Sequence, residues 1–150
     1  MSASETVPLQ VLFVCVGNSC RSQMAEAFAN HLGNGRVRVY SAGSYPLGTI
    51  IPETHRVMEE KGITLTGQWS KGLNDVPVAE VDVVVSMGCE VVCPVPKGFK
   101  GRIVEWDIPD PYNGGIVLFR RVRDLIEQEV TGLLGGLLKE GDGPVKPIDH

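Results

Sequence analysis

Residues 15–22 are Cys15-Val16-Gly17-Asn18-Ser19-Cys20-Arg21-Ser22, and they directly follow the apolar run Leu9-Gln10-Val11-Leu12-Phe13-Val14. A continuously apolar run is typical of a strand buried in a parallel sheet, and the segment 23–28 after it has helical composition. Gly17 and Asn18 tolerate the backbone angles that turn successive N–H groups toward one point. The stretch therefore predicts a strand, a tight loop and a helix, with Cys15 at the end of the strand.

Such a loop is suited to hold a tetrahedral oxyanion. The first N–H groups of a helix lack intrahelical partners, and the helix dipole favours an anion beside them. Arg21 can bind two oxygens of the anion at once, and Ser22 can donate a hydrogen bond to the Cys15 sulfur. The same groups favour the thiolate form of Cys15, so we predict that it is a nucleophile toward a bound phosphorus or arsenic centre. The predicted oxyanion-binding residues are Val16, Gly17, Asn18, Ser19, Cys20, Arg21 and Ser22.

A cysteine six residues before an arginine also arises by chance. In that case Cys15 would be an ordinary buried cysteine at a strand end, beside an unrelated Arg21. The apolar strand before the pattern, the Gly-Asn turn within it and the helical segment after it favour the functional interpretation.

The composition indicates one enzyme-sized domain with no nucleic-acid or membrane partner. The chain has 150 residues, 43% of them hydrophobic, and a formal net charge of -4. No basic stripe suits nucleic acid, and no run approaches the roughly 20 apolar residues of a membrane span. The first ten residues do not have the features of a signal peptide, so we expect a cytoplasmic protein. We also expect it to be a monomer. The domain is predicted over 1–138, and the Gly, Pro and charged residues of 139–150 indicate a loose tail.

Four cysteines in a reducing compartment favour catalytic roles over structural disulfides. Zinc is not expected, because the pair Cys89 and Cys93 lacks a matching second pair and the three histidines are scattered along the chain. We therefore expect neither a metal nor a cofactor.

Strands and helices alternate along the chain. Strands are predicted at 9–15, 36–41, 81–86 and 102–106, and helices at 22–32, 52–61 and 116–138. This alternation predicts an α/β fold with three layers, in which helices cover both faces of a central four-stranded parallel sheet. Ligands bind beyond the carboxyl ends of the strands in such folds. The residues predicted at those ends are Cys15, Ser41, Met87 and Asp107.

Residues 10 to about 138 resemble the low-molecular-weight protein tyrosine phosphatase superfamily and, within it, the thiol-coupled arsenate reductases. The loop in CVGNSCRSQMAEAF is similar to the reductase form, as is the segment Ser86-Met87-Gly88-Cys89-Glu90-Val91-Val92-Cys93-Pro94. The resemblance implies that Cys15 is the nucleophile and Arg21 the oxyanion binder. It also implies that Asp110, which precedes Pro111, is the general acid. The residues alone leave Asp107 an equal candidate for the acid.

The resemblance further implies a thiol relay. Cys89 would attack the sulfur of a Cys15–arsenate adduct and expel arsenite, and Cys93 would then attack Cys89. Cysteines four apart on a helix have Cβ atoms about 5–6 Å apart, whereas a disulfide needs roughly 3.5–4.5 Å. The Cys89–Cys93 bond thus requires an irregular or unwound segment. Reduction would come from thioredoxin or a small thiol, and an external thiol such as glutathione or mycothiol is the alternative resolving agent.

Cys20 is expected to pack rather than to react, although four residues separate it from Cys15 and a reversible disulfide between them is an alternative. The expected function is arsenate reduction. The alternative is hydrolysis of phosphotyrosine or other aryl phosphates. An apolar wall for an aromatic ring could come from Tyr45, Trp69, Trp106 and Tyr112, although packing in the core or in loops is the commoner role of such residues.

Some of the reductases that the chain resembles bind a potassium ion beside the loop. Asn18, Glu26 and Ser41 match three of those ligand positions, but Lys71 stands where an acidic residue is expected. We therefore expect no metal ion there.

Overall fold

The computed structural model describes residues 8–87 and 99–141. The strands are β1 (Leu9–Cys15), β2 (Val37–Gly43), β3 (Val83–Ser86) and β4 (Arg102–Glu105). The α-helices are α1 (Arg21–Gly33), α2 (Pro52–Glu59) and α3 (Ile116–Gly141), and two 3₁₀ helices span Leu73–Asp75 and Val78–Glu80. Among these residues, no helix combines the length and hydropathy needed to cross a bilayer.

The four strands form one parallel sheet in the order β2-β1-β3-β4. Strand β1 lies in the interior of the sheet, and its last residue, Cys15, pairs with Gly43 of β2. Beyond the end of β3, the N–H of Met87 donates to the Val14 carbonyl over 2.8 Å. The carboxyl ends of three strands therefore meet at one edge, and the predicted α/β class with a four-stranded parallel sheet is confirmed.

The two faces of the sheet are covered differently. The larger apolar cluster joins alternate residues of β1 and β3, such as Val11 and Phe13, to all three α-helices. The other cluster centres on Leu12 and Val14 and is covered by residues of the two 3₁₀ helices and by Phe99. Within 8–87 and 99–141, the second outer layer thus consists of 3₁₀ helices rather than α-helices.

Helix α3 extends beyond its predicted end. It continues to Gly141 although it contains Gly132, Gly135 and Gly136, each of which costs about 1 kcal/mol relative to alanine. Burial of Val130, Leu134 and Leu138 at helical spacing against the core outweighs that cost. The division into a domain over 1–138 and a tail over 139–150 stays a prediction.

Candidate active site

The loop after β1 turns around Asn18, whose φ of 49° lies in the left-handed region that asparagine tolerates. The carbonyl oxygens of this loop accept hydrogen bonds from the segment that follows β2. The N–H groups of Tyr45 and Leu47 donate to the Val16 and Gly17 carbonyls over 2.8 and 2.9 Å. Because a peptide plane points its C=O and N–H in opposite directions, these bonds turn the following loop N–H groups toward the interior of the loop.

Gly43 permits this close approach of β2 to the loop. A Cβ at that position would lie 2.5 Å from the Val16 carbonyl oxygen and 2.9 Å from the Asn18 nitrogen. No side chain fits at that separation. The end of β2 thus requires glycine for the loop to keep its shape.

Cys15 lies at the base of the loop, only 4% exposed. Its sulfur is 2.9 Å from the Ser22 hydroxyl oxygen in the first turn of α1. The side-chain amide nitrogen of Asn18 donates to Ser22 over 2.7 Å and to the Ser41 hydroxyl over 2.9 Å. Since the Ser22 oxygen already accepts a hydrogen bond from Asn18, its own hydrogen is available for the sulfur. A hydroxyl donated to the sulfur stabilises the thiolate.

Arg21 joins the loop to the segment after β4. Its side chain is buried, its Nη1 donates to the Ile108 carbonyl over 3.0 Å, and its Nη2 lies 3.6 Å from an Asp110 carboxylate oxygen. The Asp110 side chain is 53% exposed. One guanidinium therefore lies beside both the oxyanion loop and the carboxyl group predicted to act as an acid.

A cavity of about 210 Å³ opens above the loop. It is large enough for a tetrahedral oxyanion, and Arg21 contributes positive charge to its wall. Its lining residues are Val16, Gly17, Ser19, Arg21, Tyr45, Leu47, Asp110 and Tyr112. A buried arginine and an exposed carboxyl group thus line one small cavity, and the residues next to Cys15 in the chain, Val16 and Gly17, line it as well.

The described part of this site lies inside a family match. The family model for low molecular weight phosphotyrosine protein phosphatase matches residues 10–142. The chain belongs to this family. A curated relative, the glutaredoxin arsenate reductase of Synechocystis sp., is 39% identical over 127 residues, which are 83% of this chain and 95% of that protein.

Two solved structures of arsenate reductases superpose on the chain. An arsenate reductase in the phosphate-binding state superposes with a TM-score of 0.77 at 34% identity, over 86% of this chain and 98% of that one. A thioredoxin-dependent arsenate reductase from Corynebacterium glutamicum superposes with a TM-score of 0.76 at 29% identity, over 91% of this chain and 65% of that one. The predicted resemblance to arsenate reductases of the phosphatase superfamily is confirmed.

The structure places Cys15 beside Ser22 and Arg21 beside Asp110, whereas Cys89 and Cys93 lie outside the described residues. Burial raises the pKa of the Cys20 thiol to about 11, although its side-chain hydrogen bonds with Ser19 and Thr54 oppose the shift. Cys20 is thus held as a thiol at neutral pH.

The four aromatic residues suggested for a substrate wall divide into two pairs. Tyr45 and Tyr112 line the cavity. Trp106 packs against Phe13 with ring centroids 5.8 Å apart, so it belongs to the core. Trp69 is exposed, and its ring lies 5.4 Å from the Lys71 ammonium rather than in the cavity lining.

A potassium ion does not fit beside this loop. Nζ of Lys71 lies 3.2 Å from the Ser41 hydroxyl and 3.6 Å from Glu26. It thereby takes two of the groups that the resemblance assigned to the ion.

Several residues that support the loop were not predicted. Thr54 donates to the Ser19 carbonyl over 2.9 Å, and Ser70 donates to the Gly17 carbonyl over 3.1 Å. Gln23 donates to the Asn18 side-chain oxygen over 2.8 Å. Their sequence neighbours give no signal for these contacts, except that Gln23 replaces the proline common in the phosphatase branch.

Proposed function

We propose that this protein is an arsenate reductase that uses the Cys15 thiolate and a relay of further thiols. The observation that carries the proposal is the Cys15–Ser22 contact at the base of a loop whose residues Val16, Gly17 and Arg21 line a cavity, in a chain that matches arsenate reductases over most of its length. Arsenate is a tetrahedral oxyanion, so it suits the loop N–H groups and the guanidinium.

In the first step, Cys15 attacks the arsenic atom. A sulfur–arsenic bond forms, and one arsenate oxygen leaves as water. Asp110, near the mouth of the cavity, gives that oxygen its proton. Arsenic stays pentavalent in the adduct, and Arg21 with the loop amides holds its remaining oxygens.

In the second step, the Cys89 thiolate attacks the Cys15 sulfur. A Cys15–Cys89 disulfide forms, and the electron pair of the sulfur–arsenic bond moves to arsenic, which leaves as trivalent arsenite and takes up protons from water. The two thiols supply both electrons. Cys93 or an external thiol then attacks Cys89 and releases Cys15.

We propose that a thioredoxin, a glutaredoxin or a small thiol such as glutathione or mycothiol reduces the resulting disulfide. The names of two relatives, a glutaredoxin arsenate reductase and a thioredoxin-dependent one, support this class of donor. We also propose that the protein acts as a monomer in the cytoplasm, where thiols are kept reduced.

Single turnover tests the proposal. Arsenate is added to fully reduced protein without external thiol, and the arsenite formed per protein molecule is quantified. Disulfides are mapped by mass spectrometry, and phosphate is the control anion. Near-stoichiometric arsenite with a Cys15–Cys89 or Cys89–Cys93 bond is expected if the relay is internal. If arsenite forms only after glutathione or mycothiol is added, an external thiol resolves the adduct. Absence of arsenite with every donor would contradict the proposal.

Hydrolysis of aryl phosphates is the second candidate function. Asp110, Tyr45 and Tyr112 line one cavity, which suits a phosphorylated ring. Cys89→Ser and Cys93→Ser distinguish the two functions, because a phosphatase needs only Cys15. We expect the variant that carries both changes to lose arsenate turnover and to keep hydrolysis of p-nitrophenyl phosphate. Arsenate turnover that survives both changes would remove the redox role of these cysteines.

A further inference from the structure

The side chain of Lys71 is a buried cation next to the loop. It is 8% exposed, and Nζ donates to the Trp69 carbonyl over 3.0 Å and to the Ser41 hydroxyl over 3.2 Å. The carboxylate of Glu26, itself nearly buried, lies 3.6 Å from Nζ. Burying an ammonium group is costly unless it is paired and hydrogen-bonded, so a lysine here needs an explanation.

The contacts of Lys71 fix the direction of a chain of hydrogen bonds. Ser41 donates its hydrogen to Glu26 over 2.6 Å, because an ionised carboxylate paired with an ammonium only accepts. The lone pairs of Ser41 are then left for Lys71 and for the amide nitrogen of Asn18.

The orientation of the Asn18 amide follows from its other contacts. Its oxygen accepts from the Lys71 backbone N–H over 2.8 Å, so its nitrogen must face the two serines. The second amide hydrogen of Asn18 goes to Ser22, and the hydroxyl hydrogen of Ser22 is left for the Cys15 sulfur. In this series of hydrogen bonds, the direction of each bond thus fixes which group donates in the next bond.

We propose that Lys71 is a positioning residue for the Cys15 thiolate, which acts through Glu26, Ser41 and Asn18 to keep the Ser22 hydroxyl donating to the sulfur. The ammonium of Lys71 supplies from within the chain the positive charge that this cluster needs, so the loop keeps its hydrogen-bond direction without a bound metal ion. Lys71 touches neither the cavity nor the reacting atoms, and its effect reaches the sulfur only through its neighbours.

The test measures alkylation of Cys15 by iodoacetamide, located by mass spectrometry, so its result does not depend on arsenate turnover. This inference deepens the proposed function but fails or succeeds separately from it. In Lys71→Met, we expect the rate at neutral pH to fall about tenfold, since a hydrogen bond to a charged sulfur is lost. In alkaline solution the rate should return close to the wild-type value, because the nucleophile then ionises without the help of the hydrogen bond. An equal loss at both pH values, or no loss, would overturn the proposal.

Matched variants distinguish a positioning role of Lys71 from a general loss of structure. Lys61 also forms an ion pair, at 3.0 Å from Glu127 of α3, and this pair lies away from the loop. Lys61→Met should therefore leave the alkylation profile unchanged. Lys71→Arg keeps the charge and should stay within about threefold of wild type. If Lys71→Met does not fold because Glu26 is left unpaired, Lys71→Met with Glu26→Gln removes both charges, and the same tenfold fall is expected.

The Ser22→Ala protein tests whether Lys71 acts on Cys15 through the Ser22 hydroxyl. If Lys71 acts through Ser22, Lys71→Met should have little further effect in a Ser22→Ala protein, because the final hydrogen bond is already absent. A full tenfold effect in that background would mean that Lys71 acts on the thiolate directly by its charge. That result would overturn the proposed route.

Discussion

The α-carbon of Gly43 stands against the carbonyl of Val16, so that a methyl group on it would lie 2.5 Å from the carbonyl oxygen. We expect Gly43→Ala to displace the oxyanion loop. The affinity for phosphate should fall about tenfold or more, and stability should fall by about 1–3 kcal/mol, the usual cost of overpacking. Calorimetric titration with phosphate measures the first effect and urea unfolding the second.

The control for that prediction is Gly72→Ala. A Cβ on Gly72 would meet its nearest atom, Cγ of Pro46, at the ordinary distance of 3.4 Å. This variant should bind phosphate like the wild type. Equal phosphate affinity in Gly43→Ala and in the wild type would mean that the loop does not depend on the glycine.

Asp110 and Asp107 can be distinguished as acids by hydrolysis of aryl phosphates. Asp110 lies beside Arg21 in the cavity, whereas Asp107 is exposed and is not among the lining residues. We expect Asp110→Asn to lower kcat about a hundredfold with little change in KM, and Asp107→Asn to change it less than about twofold. Phenyl phosphate should be affected more than p-nitrophenyl phosphate, because a poorer leaving group needs the proton more. An equal loss for both substrates would contradict an acid role.

Cys15 and Cys20 lie in one loop but should react differently. Burial raises the pKa of Cys20 to about 11, so its thiolate becomes abundant only as the pH approaches that value. At neutral pH, iodoacetamide should therefore modify Cys15 well before Cys20, and phosphate should protect Cys15. Fragment-ion mass spectrometry locates the label on either residue, and Cys15→Ser should abolish the fast phase. Equal labelling of the two cysteines would contradict this prediction.

The sequence predicts the parts of the site that are contiguous in the chain. Cys15, Arg21 and Ser22 lie in one strand–loop–helix unit, so local residue types suffice to predict the loop. Lys71 contacts Asn18 across 53 residues, and that contact depends on how the later segment packs against the end of β2. No local pattern contains this information, and only the family resemblance associates Lys71 with Asn18.

Trp106 also shows that the sequence does not predict which residues a side chain contacts. As an aromatic residue it was a candidate either for a substrate wall or for packing, and its ring packs on Phe13 of the core. Which face of a short edge strand points inward depends on the neighbouring strands and helices. The class of a residue predicts its chemistry, whereas its partner is decided by tertiary packing.

Glu60, at the end of α2, makes the stability of the contact between α2 and α3 depend on pH. Arg120 binds both of its carboxylate oxygens, at distances down to 2.8 Å, and Nη1 of Arg123 lies 2.7 Å away. The hydrogen bonds from Arg120, followed by those from Arg123, lower the pKa of Glu60 from 4.5 to about 2. A carboxyl whose pKa is lowered by folding stabilises the folded state above its unfolded pKa and loses that effect as the pH falls.

We therefore expect Glu60→Gln to lower the Tm by a constant amount above pH 4.5, and the difference from wild type to shrink between pH 4.5 and about 2. Added salt should also reduce the difference, because the carboxylate is solvent-accessible. Glu59→Gln removes the same charge from an exposed neighbouring position of α2 and should change the Tm much less. Thermal unfolding followed by circular dichroism at several pH values decides the matter. A difference that persists unchanged at pH 2 would show that Glu60 stabilises the helix pair by packing rather than by its charge.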